Sequence, residues 1–133
     1  NIGNLCPLKF DKILLDAPCS TFAKIGFDLE KSYKEIKNIA KTQKKLLHSA
    51  LKALKIGGEL VYSTCTFTKE ENEEVIENAL KSEFKLELLD IDLENVEAKV
   101  GQSEQFAEIS KCRRVLPSLD YDGFFIAKLR KLC

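Results

Sequence analysis

The sequence predicts an α/β fold in which strands and helices alternate, and three observations support this. Two short runs with apolar centres, residues 12–16 and 59–64, are typical of buried parallel strands. Between them, apolar residues recur at helical spacing over 36–54, and lysines occupy the other face. Because such strand-helix-strand crossovers are right-handed, we expect the two strands to lie parallel and side by side in one sheet.

Local signals indicate where the helices begin and end. Gly57 and Gly58 follow the long apolar helix, and glycine is common just past a helix end, so we expect the helix to stop there. Thr68 and Glu71 have the spacing of a capping box, which predicts a second helix that continues to about Leu80. Acidic residues in the first turn suit the positive end of the helix dipole.

The second half of the chain gives fewer signals. Residues 84–89 alternate between polar and apolar side chains and predict a third strand, and residues 123–129 predict a fourth. The stretch 92–122 shows no periodicity, so we expect no regular element in it.

Composition and charge narrow the class of protein. The chain has 133 residues, 44% hydrophobic and 32% charged, which fits one soluble domain. No apolar run approaches the ~20 residues that span a bilayer, and the N-terminus lacks a signal-peptide pattern, so we expect a cytoplasmic protein with no membrane partner. The 21 basic and 21 acidic residues give a net charge of +0, so a nucleic acid must be bound by a local patch.

The cysteines indicate reduced thiols. They are odd in number and widely spaced, with no Cys-x-x-Cys pair: Cys6, Cys19, Cys65, Cys112 and Cys133. Structural zinc sites need closely spaced pairs of ligands, so we expect no metal cofactor. We interpret the absence of Met and the short segment before the first strand as signs of a piece of a longer protein.

Candidate reactive residues follow the first two strands. Ligands in such sheets bind at the carboxyl ends of the strands. Asp16, Pro18 and Cys19 follow the first strand, and Cys65 follows the second. Neighbouring strands lie ~4.8 Å apart, so we expect the thiols of Cys19 and Cys65 to converge, close enough to cross-link on air oxidation.

Short motifs recur in order over nearly the whole chain: Asp-Ala-Pro-Cys-Ser-Thr at 16–21, Gly-Gly-Glu-Leu-Val-Tyr-Ser-Thr-Cys-Thr at 57–66, Glu-Glu-Asn-Glu at 70–73, Arg-Val-Leu-Pro-Ser at 114–118 and Asp-Gly-Phe-Phe at 122–125. Together they resemble the motifs of the Sun/Nop/RsmB family of RNA cytosine-5 methyltransferases. The family's Asp-Ala-Pro-Cys-Ser-Gly resembles residues 16–21, and its more specific Gly-Gly-x-Leu-Val-Tyr-Ser-Thr-Cys-Ser/Thr resembles residues 57–66. Its Glu-Glu-Asn-Glu, Arg-x-x-Pro-His and Asp-Gly-Phe-Phe elements resemble residues 70–73, 114–118 and 122–125.

The resemblance implies a Rossmann-like class I methyltransferase fold with an antiparallel last strand, of which residues 1–133 form only the C-terminal half of the catalytic domain. The implied activity is S-adenosylmethionine-dependent methylation of carbon 5 of cytosine in ribosomal or transfer RNA. The family's upstream half, whose Gly-rich loop holds the cofactor, has no counterpart here. That half is therefore an expected partner, and the fragment is expected to be inactive alone.

Site roles are also implied by the resemblance. Cys65 is implied as the nucleophile that adds to carbon 6 of cytosine, Cys19 as the group that assists release of the carbon 5 proton, and Asp16 as a carboxylate facing both cofactor and pyrimidine. Asp16 and Pro18 are implied to contact S-adenosylmethionine. Without the motifs, a cysteine at a strand end is most often a small buried hydrophobe and Asp16 most simply caps a turn, so those interpretations stay open.

Two departures from the family pattern keep a second function open. Thr21 stands where the family has Gly, and Ser118 where it has His. A β-branched residue is unfavourable in a turn that needs the conformational freedom of glycine. The alternative is a catalytically inactive RNA-binding or structural remnant of the same fold, and methyl transfer to another substrate is a third possibility.

RNA contacts are predicted at Arg113 and Arg114, in the loop before the last strand, because functional loops gather at the mouth of such sheets. The lysines of the long helix are candidates for phosphate contacts, although such a stripe is more typical of a solvent face. The target cytosine must be unstacked to reach Cys65, so we expect single-stranded or looped RNA, with Phe22 or Phe124 as candidate stacking partners.

Overall fold

In the computed structural model, which describes residues 1–24 and 31–133, six strands form one mixed sheet. The elements along the chain are α1 (Ile2–Leu5), β1 (Phe10–Asp16), α2 (Tyr33–Ala53), β2 (Leu54–Thr64), α3 (Glu73–Leu80), β3 (Leu86–Leu89), β4 (Ala98–Val100), a 3₁₀ turn (Ala107–Lys111), β5 (Arg113–Val115) and β6 (Phe124–Lys131). The order across the sheet is β1-β2-β6-β5-β4, and β3 also pairs with β6.

The predicted parallel pair is confirmed. β1 and β2 run parallel, with Ile13 opposite Leu60 and Asp16 opposite Ser63. The last strand is antiparallel, as the resemblance implied, because β6 pairs with β2 in the opposite direction. The predicted α/β class and the third and fourth strands are therefore confirmed, the strands with shifts of one or two residues at their ends.

The long amphipathic helix α2 covers one face of this sheet. A capping box starts it: Ser32 Oγ accepts from the backbone N–H of Glu35, and Glu35 Oε2 accepts from the backbone N–H of Ser32. The helix and the sheet bury a common apolar core, whose largest side chains include Leu47, Leu51, Leu54, Leu60, Tyr62, Ile76, Phe125 and Leu129. Burial of this apolar surface holds the two cysteine-bearing strand ends on a rigid scaffold.

The glycine pair does not end the helix, so that prediction was wrong. α2 ends at Ala53, and Gly57 and Gly58 lie inside β2. There the pairing with β1 shifts register, from Phe10 opposite Leu54 to Lys12 opposite Glu59. The extra residues on β2 form an irregularity of the β-bulge kind, in which Gly57 has a φ of +80°. The glycines fit this irregularity, and the same local signal is also typical of a helix end.

Two further expectations need correction. α3 begins at Glu73, with Asn72 at its N-cap, so Thr68 and Glu71 are not its capping box even though Thr68 Oγ1 does donate to Glu71 Oε2. The stretch 92–122, predicted to be irregular, contains β4, the 3₁₀ turn and β5. β4 and β5 have three residues each, too few for side-chain alternation to be visible in the sequence. The short helix α1 was not predicted either.

Within the described part of the chain, no helix has the length and apolar character needed to cross a bilayer.

The two glycines of β2 are expected to tolerate alanine differently. A Cβ on Gly58 would lie 2.9 Å from the carbonyl oxygens of Asp11 and Lys55, which are backbone atoms that cannot move aside, whereas one on Gly57 meets nothing within 4 Å. Gly58→Ala should therefore lower the free energy of unfolding by about 1–3 kcal/mol. Gly57→Ala should cost about 1 kcal/mol, through its positive φ alone. Urea unfolding followed by circular dichroism measures both, and an equal or smaller loss at Gly58 would contradict the close approach of β1.

Candidate active site

Two thiols meet at the carboxyl ends of the parallel strands. The Sγ atoms of Cys19 and Cys65 lie 3.2 Å apart, within hydrogen-bonding distance for sulfur, and both residues are partly buried free cysteines. The convergence expected from the strand order is therefore present. The catalytic roles implied for the two residues stay predictions.

The backbone around the thiols continues the sheet pairing beyond its last ladder positions. The N–H of Ala17 donates to the carbonyl oxygen of Ser63 (3.0 Å), so the chain after β1 still follows β2. The N–H of Ala23 then donates to the carbonyl oxygen of Cys65 (3.1 Å). Gly123, just before β6, donates its N–H to Ala23 O (2.8 Å). The loop that carries Cys19 is thus closed over the end of β2 and attached to the start of β6.

The environment keeps Cys65 protonated at neutral pH. Burial raises the pKa of the Cys65 thiol to about 12, and the hydrogen bond and charge of Cys19 act in the same direction. Lys24 opposes this rise, and the negative charge of Asp16 adds a smaller contribution to it. A thiol in this state becomes a nucleophile only when a base removes its proton or a ligand changes its surroundings.

Asp16 and Pro18 lie at the open side of the thiol pair. The Asp16 side chain is exposed, and its Oδ1 accepts a hydrogen bond from Ser63 Oγ (3.2 Å) across the two strands. Pro18 is exposed too, while its carbonyl oxygen accepts from Gln43 Nε2 (2.8 Å) of helix α2. The hydrogen bonds from Gln43 and Ser63 therefore hold the turn after β1, and the Asp16 carboxylate and the Pro18 ring are exposed to solvent.

A buried polar cluster, which was not predicted from the sequence, lies directly beneath the two loops. At its centre is Glu71, which has no exposed surface. Its Oε1 accepts from the backbone N–H of Ser20 (2.8 Å), and its Oε2 accepts from Ser20 Oγ (2.6 Å). Thr66 and Gln43 also donate to it, at 3.3 Å each, and so does Thr68. The Glu-Glu-Asn-Glu run was recognised as a motif, but only a helix start was inferred from it.

The next two residues of that run are also buried and bonded. Asn72 accepts from Thr64 Oγ1 (2.6 Å) and donates to Thr66 O (2.9 Å), so it holds both sides of Cys65. Glu73 accepts from Arg114 Nε (2.6 Å) in a bidentate ion pair whose carboxylate is fully buried. Three consecutive polar residues thus fasten three separate segments to the start of α3.

The arginines predicted to bind RNA both have partners within the chain. Besides Glu73, Arg114 donates through Nη1 to the carbonyl oxygen of Phe67 (3.0 Å). Arg113 Nη1 donates to the carbonyl oxygens of Ser110, Lys111 and Cys112, at the end of the 3₁₀ turn. These contacts account for both residues structurally, and their contact with RNA stays a prediction.

Thr21 adopts the conformation that its glycine counterpart would provide. Its φ is +63°, in the left-handed region, and its Oγ1 donates to Ser20 O (2.7 Å). A β-branched residue is strained there, by roughly 1–2 kcal/mol. The turn is therefore formed even though Thr21 replaces the family's glycine, and the strain lies at this residue.

The remaining cysteines lie outside the site. Cys112 is fully buried in the core, where burial raises its pKa to about 12, while Cys6 is partly buried and Cys133 exposed. His48, to which no role was assigned, pairs with Glu83 (2.8 Å) on the surface. Among residues 1–24 and 31–133, no group of three or more His, Cys, Asp or Glu side chains is placed to hold a metal ion.

The raised pKa of Cys65 predicts a distinctive alkylation profile. Because its thiolate fraction keeps growing until the pH nears 12, the rate of reaction with iodoacetamide should rise about tenfold per pH unit between pH 7 and pH 10. Glutathione, measured in parallel, should level off near the ordinary thiol pKa of ~8.5. Peptide mass spectrometry reports the Cys65 rate, and a plateau below pH 9 would contradict the burial of this thiol.

Comparison with known proteins identifies the family. A family model described as 16S rRNA methyltransferase RsmB/F matches residues 2–130. The ribosomal RNA small subunit methyltransferase F of Vibrio cholerae is 39% identical over 138 residues, which cover 98% of this chain and 28% of that protein. A mitochondrial tRNA (cytosine(34)-C(5))-methyltransferase of Mus musculus is 38% identical over 139 residues, covering 98% of this chain and 39% of that protein.

Solved structures agree with these relatives. A methyltransferase homologue from Pyrococcus horikoshii superimposes with a TM-score of 0.78 at 43% identity, over 98% of this chain and 42% of that one. NSun6 from Pyrococcus horikoshii, solved with SFG, gives a TM-score of 0.75 at 35% identity, over 92% of this chain and 30% of that one. The chain thus spans well under half the length of the proteins it matches. By sequence and by fold, this chain belongs to the 16S rRNA methyltransferase RsmB/F family.

Proposed function

We propose that this chain carries the catalytic thiols of an RNA cytosine-5 methyltransferase that acts on ribosomal or transfer RNA. The observation that carries the proposal is the 3.2 Å contact between Cys19 and Cys65 at the carboxyl ends of two parallel strands. The names of the relatives support the substrate class, because they describe a ribosomal RNA methyltransferase and a tRNA cytosine-C(5) methyltransferase.

Cys65 acts first in the proposed reaction. Carbon 5 of cytosine is a poor nucleophile, but when the Cys65 sulfur adds to carbon 6 and its proton passes to the ring, the ring becomes an enamine. Its carbon 5 can then attack the methyl group of a sulfonium, whose sulfur leaves as a thioether. The pyrimidine cannot fit between sulfurs that are 3.2 Å apart, so its entry separates them. Separation removes the hydrogen bond from Cys19, which is one of the causes that raise the pKa of Cys65.

Cys19 acts second. Methylation leaves carbon 5 with both a proton and the new methyl group, and the bond to Cys65 breaks only when that proton is removed. The thiolate of Cys19 takes the proton and becomes a thiol, the electron pair of the C–H bond forms the ring double bond, and the Cys65 thiolate leaves carbon 6. Asp16, exposed beside the pair, supports protonation of the ring while the thiol adds.

The residues after β1 suit one wall of an S-adenosylmethionine site. The Asp16 carboxylate offers acceptors for hydroxyl or amino groups, and the exposed ring of Pro18 offers an apolar surface. Bound there, the cofactor supplies an electrophilic methyl group on a sulfonium. Asp16 and Pro18 would contact the cofactor on one side, and the hydrogen bonds of the turn after β1 keep these two residues in place.

The other wall is proposed to come from the upstream half of the catalytic domain. β1 is an edge strand with no partner on its outer side among the described residues. Beside it lies an apolar groove of about 660 Å³, lined by Ile13, Leu15, Leu46, Ala50 and neighbouring residues. Leu14, on the same strand, is 74% exposed. A further parallel strand and its helix would cover this surface.

The alternative function is an inactive RNA-binding or structural remnant of the same fold. It was suggested by Thr21 in place of glycine, because loss of the turn would displace Cys19. The left-handed conformation at Thr21 and the short contact between the thiols favour the catalytic proposal over this one.

Substitution of each thiol in the intact protein tests the proposal. Cys65→Ser should abolish formation of 5-methylcytosine, because no adduct forms at carbon 6. Cys19→Ser should instead accumulate a protein-RNA adduct that survives denaturing gel electrophoresis, because the carbon 5 proton is not released. Cys133→Ser, at an exposed position, is the matched control and should behave as the wild type. Absence of any adduct in Cys19→Ser would count against the two-thiol mechanism, and methylation by Cys65→Ser would exclude it.

Relief of strain in the active loop gives a second test. Thr21→Gly removes the cost of a left-handed β-branched residue and adds about 0.4–1 kcal/mol of chain entropy to the unfolded state, so stability should rise by up to about 1 kcal/mol. Thr42→Gly, at an exposed position within α2, is the control and should cost about 0.5 kcal/mol, because threonine is itself a weaker helix former than alanine. Urea unfolding measures both variants. A loss at Thr21→Gly as large as that at Thr42→Gly would contradict the strained turn.

A further inference from the structure

The buried carboxylate of Glu71 has no part in the chemistry proposed above, yet it contacts both thiol-bearing loops. Burial of a carboxylate is costly unless hydrogen bonds compensate it, and here donors from four residues are directed at it. Ser20 contributes its backbone N–H and its hydroxyl, and Thr66, Thr68 and Gln43 contribute side-chain donors. The cluster therefore depends on this single acceptor group.

The position of two of these donors in the sequence is informative. Ser20 directly follows Cys19, and Thr66 directly follows Cys65. Their hydroxyls also contact each other, at 2.6 Å, so the two loops are joined immediately below the thiols. A shift of either loop relative to Glu71 must change the distance between the sulfurs.

The strand ladder itself does not reach the two cysteines, and beyond it the loops are joined by the backbone bond from Ala23 N–H to Cys65 O and by the Glu71 cluster. β1 ends at Asp16 and β2 ends at Thr64, so both cysteines lie beyond the last ladder positions. The Cys19 loop also contains the strained residue Thr21, which favours a different backbone conformation once the loop is released. Hydrogen bonds from Ser20 to Glu71 hold the loop against that tendency.

We infer that Glu71 is a positioning residue that sets the separation of the Cys19 and Cys65 thiols by binding Ser20 and Thr66 at once. The inference deepens the proposed function and rests on it for its catalytic meaning. It assigns to Glu71 the task of presenting both sulfurs to one pyrimidine, so that addition at carbon 6 and proton removal at carbon 5 take place at the same bound base.

The thiol separation is measurable without RNA or cofactor, through the disulfide equilibrium with glutathione. Oxidised glutathione accepts two electrons as Cys19 and Cys65 join, releasing two reduced glutathiones, and the equilibrium constant reports how well the thiols are placed. The experiment uses the chain with Cys6→Ser and Cys133→Ser, which leaves the pair and the fully buried Cys112. Acid quenching and mass spectrometry quantify the two forms.

Glu71→Gln is the main variant and Glu73→Gln its matched control. Both remove a fully buried carboxylate from the same short run, but Glu73 binds Arg114 and contacts neither cysteine loop. Glu71→Gln should lower the equilibrium constant at least about tenfold, because an amide cannot accept all of these hydrogen bonds and small misplacements are costly. Glu73→Gln should leave it within about twofold of the parent value. A purely structural role for Glu71 predicts lost stability with an unchanged constant, and that result would overturn the inference, as would equal effects of the two variants.

Ser20→Ala keeps the inference testable if Glu71→Gln does not fold. It removes one hydroxyl from the cluster and retains the backbone bond, so the constant should fall about threefold. An unchanged constant in Ser20→Ala would overturn the inference in that case. In the intact enzyme, Glu71→Gln should lower kcat with little change in KM for RNA. If Glu71→Gln leaves the equilibrium constant unchanged while the wild-type enzyme forms 5-methylcytosine, only the positioning role is refuted. If Glu71→Gln lowers the constant but the wild-type enzyme forms no 5-methylcytosine, the proposed function is refuted.

Discussion

The parallel register between β1 and β2 decides where the chemical groups of this site lie. It sets Asp16 opposite Ser63, and the chains that leave the two strands emerge at the same edge of the sheet. Cys19 and Cys65 are 46 residues apart in sequence, yet their sulfurs are in contact because of this one pairing. Helix α2, which covers the strands, makes the crossover and buries the apolar surface that stabilises it.

A second layer of support comes from polar residues within the protein. Glu71, Asn72 and Glu73 are fully buried, and burial of three such side chains in succession is unfavourable unless each is satisfied. Each is satisfied by a different segment, so the start of α3 joins the Cys19 loop, the Cys65 segment and Arg114 in β5. The hydrogen bonds that satisfy these buried polar groups also hold in place the loops that lie outside the sheet ladder.

The sequence was sufficient for the features that depend on local pattern and strand order. The helix α2 has a strong apolar period, and the convergence of Cys19 with Cys65 follows from two apolar parallel strands joined by one crossover, although β1 is an exposed edge strand and not the buried strand predicted. It was insufficient where a local signal has two meanings or a partner is distant. Gly57 and Gly58 suit a helix end as well as a strand irregularity. The ion pair of Arg114 was not predicted, because its partner Glu73 is 41 residues away in the sequence.

The central claim is that both thiols act in turn on one cytosine, with Cys65 as the nucleophile. The most direct measurement uses the intact enzyme, S-adenosylmethionine and an RNA in which the target is 5-fluorocytosine, where fluorine replaces the proton that Cys19 would remove. The adduct should then be permanent, and peptide mapping should find the methylated base on the peptide that contains Cys65. Attachment at Cys19, or turnover with no trapped adduct, would contradict the account.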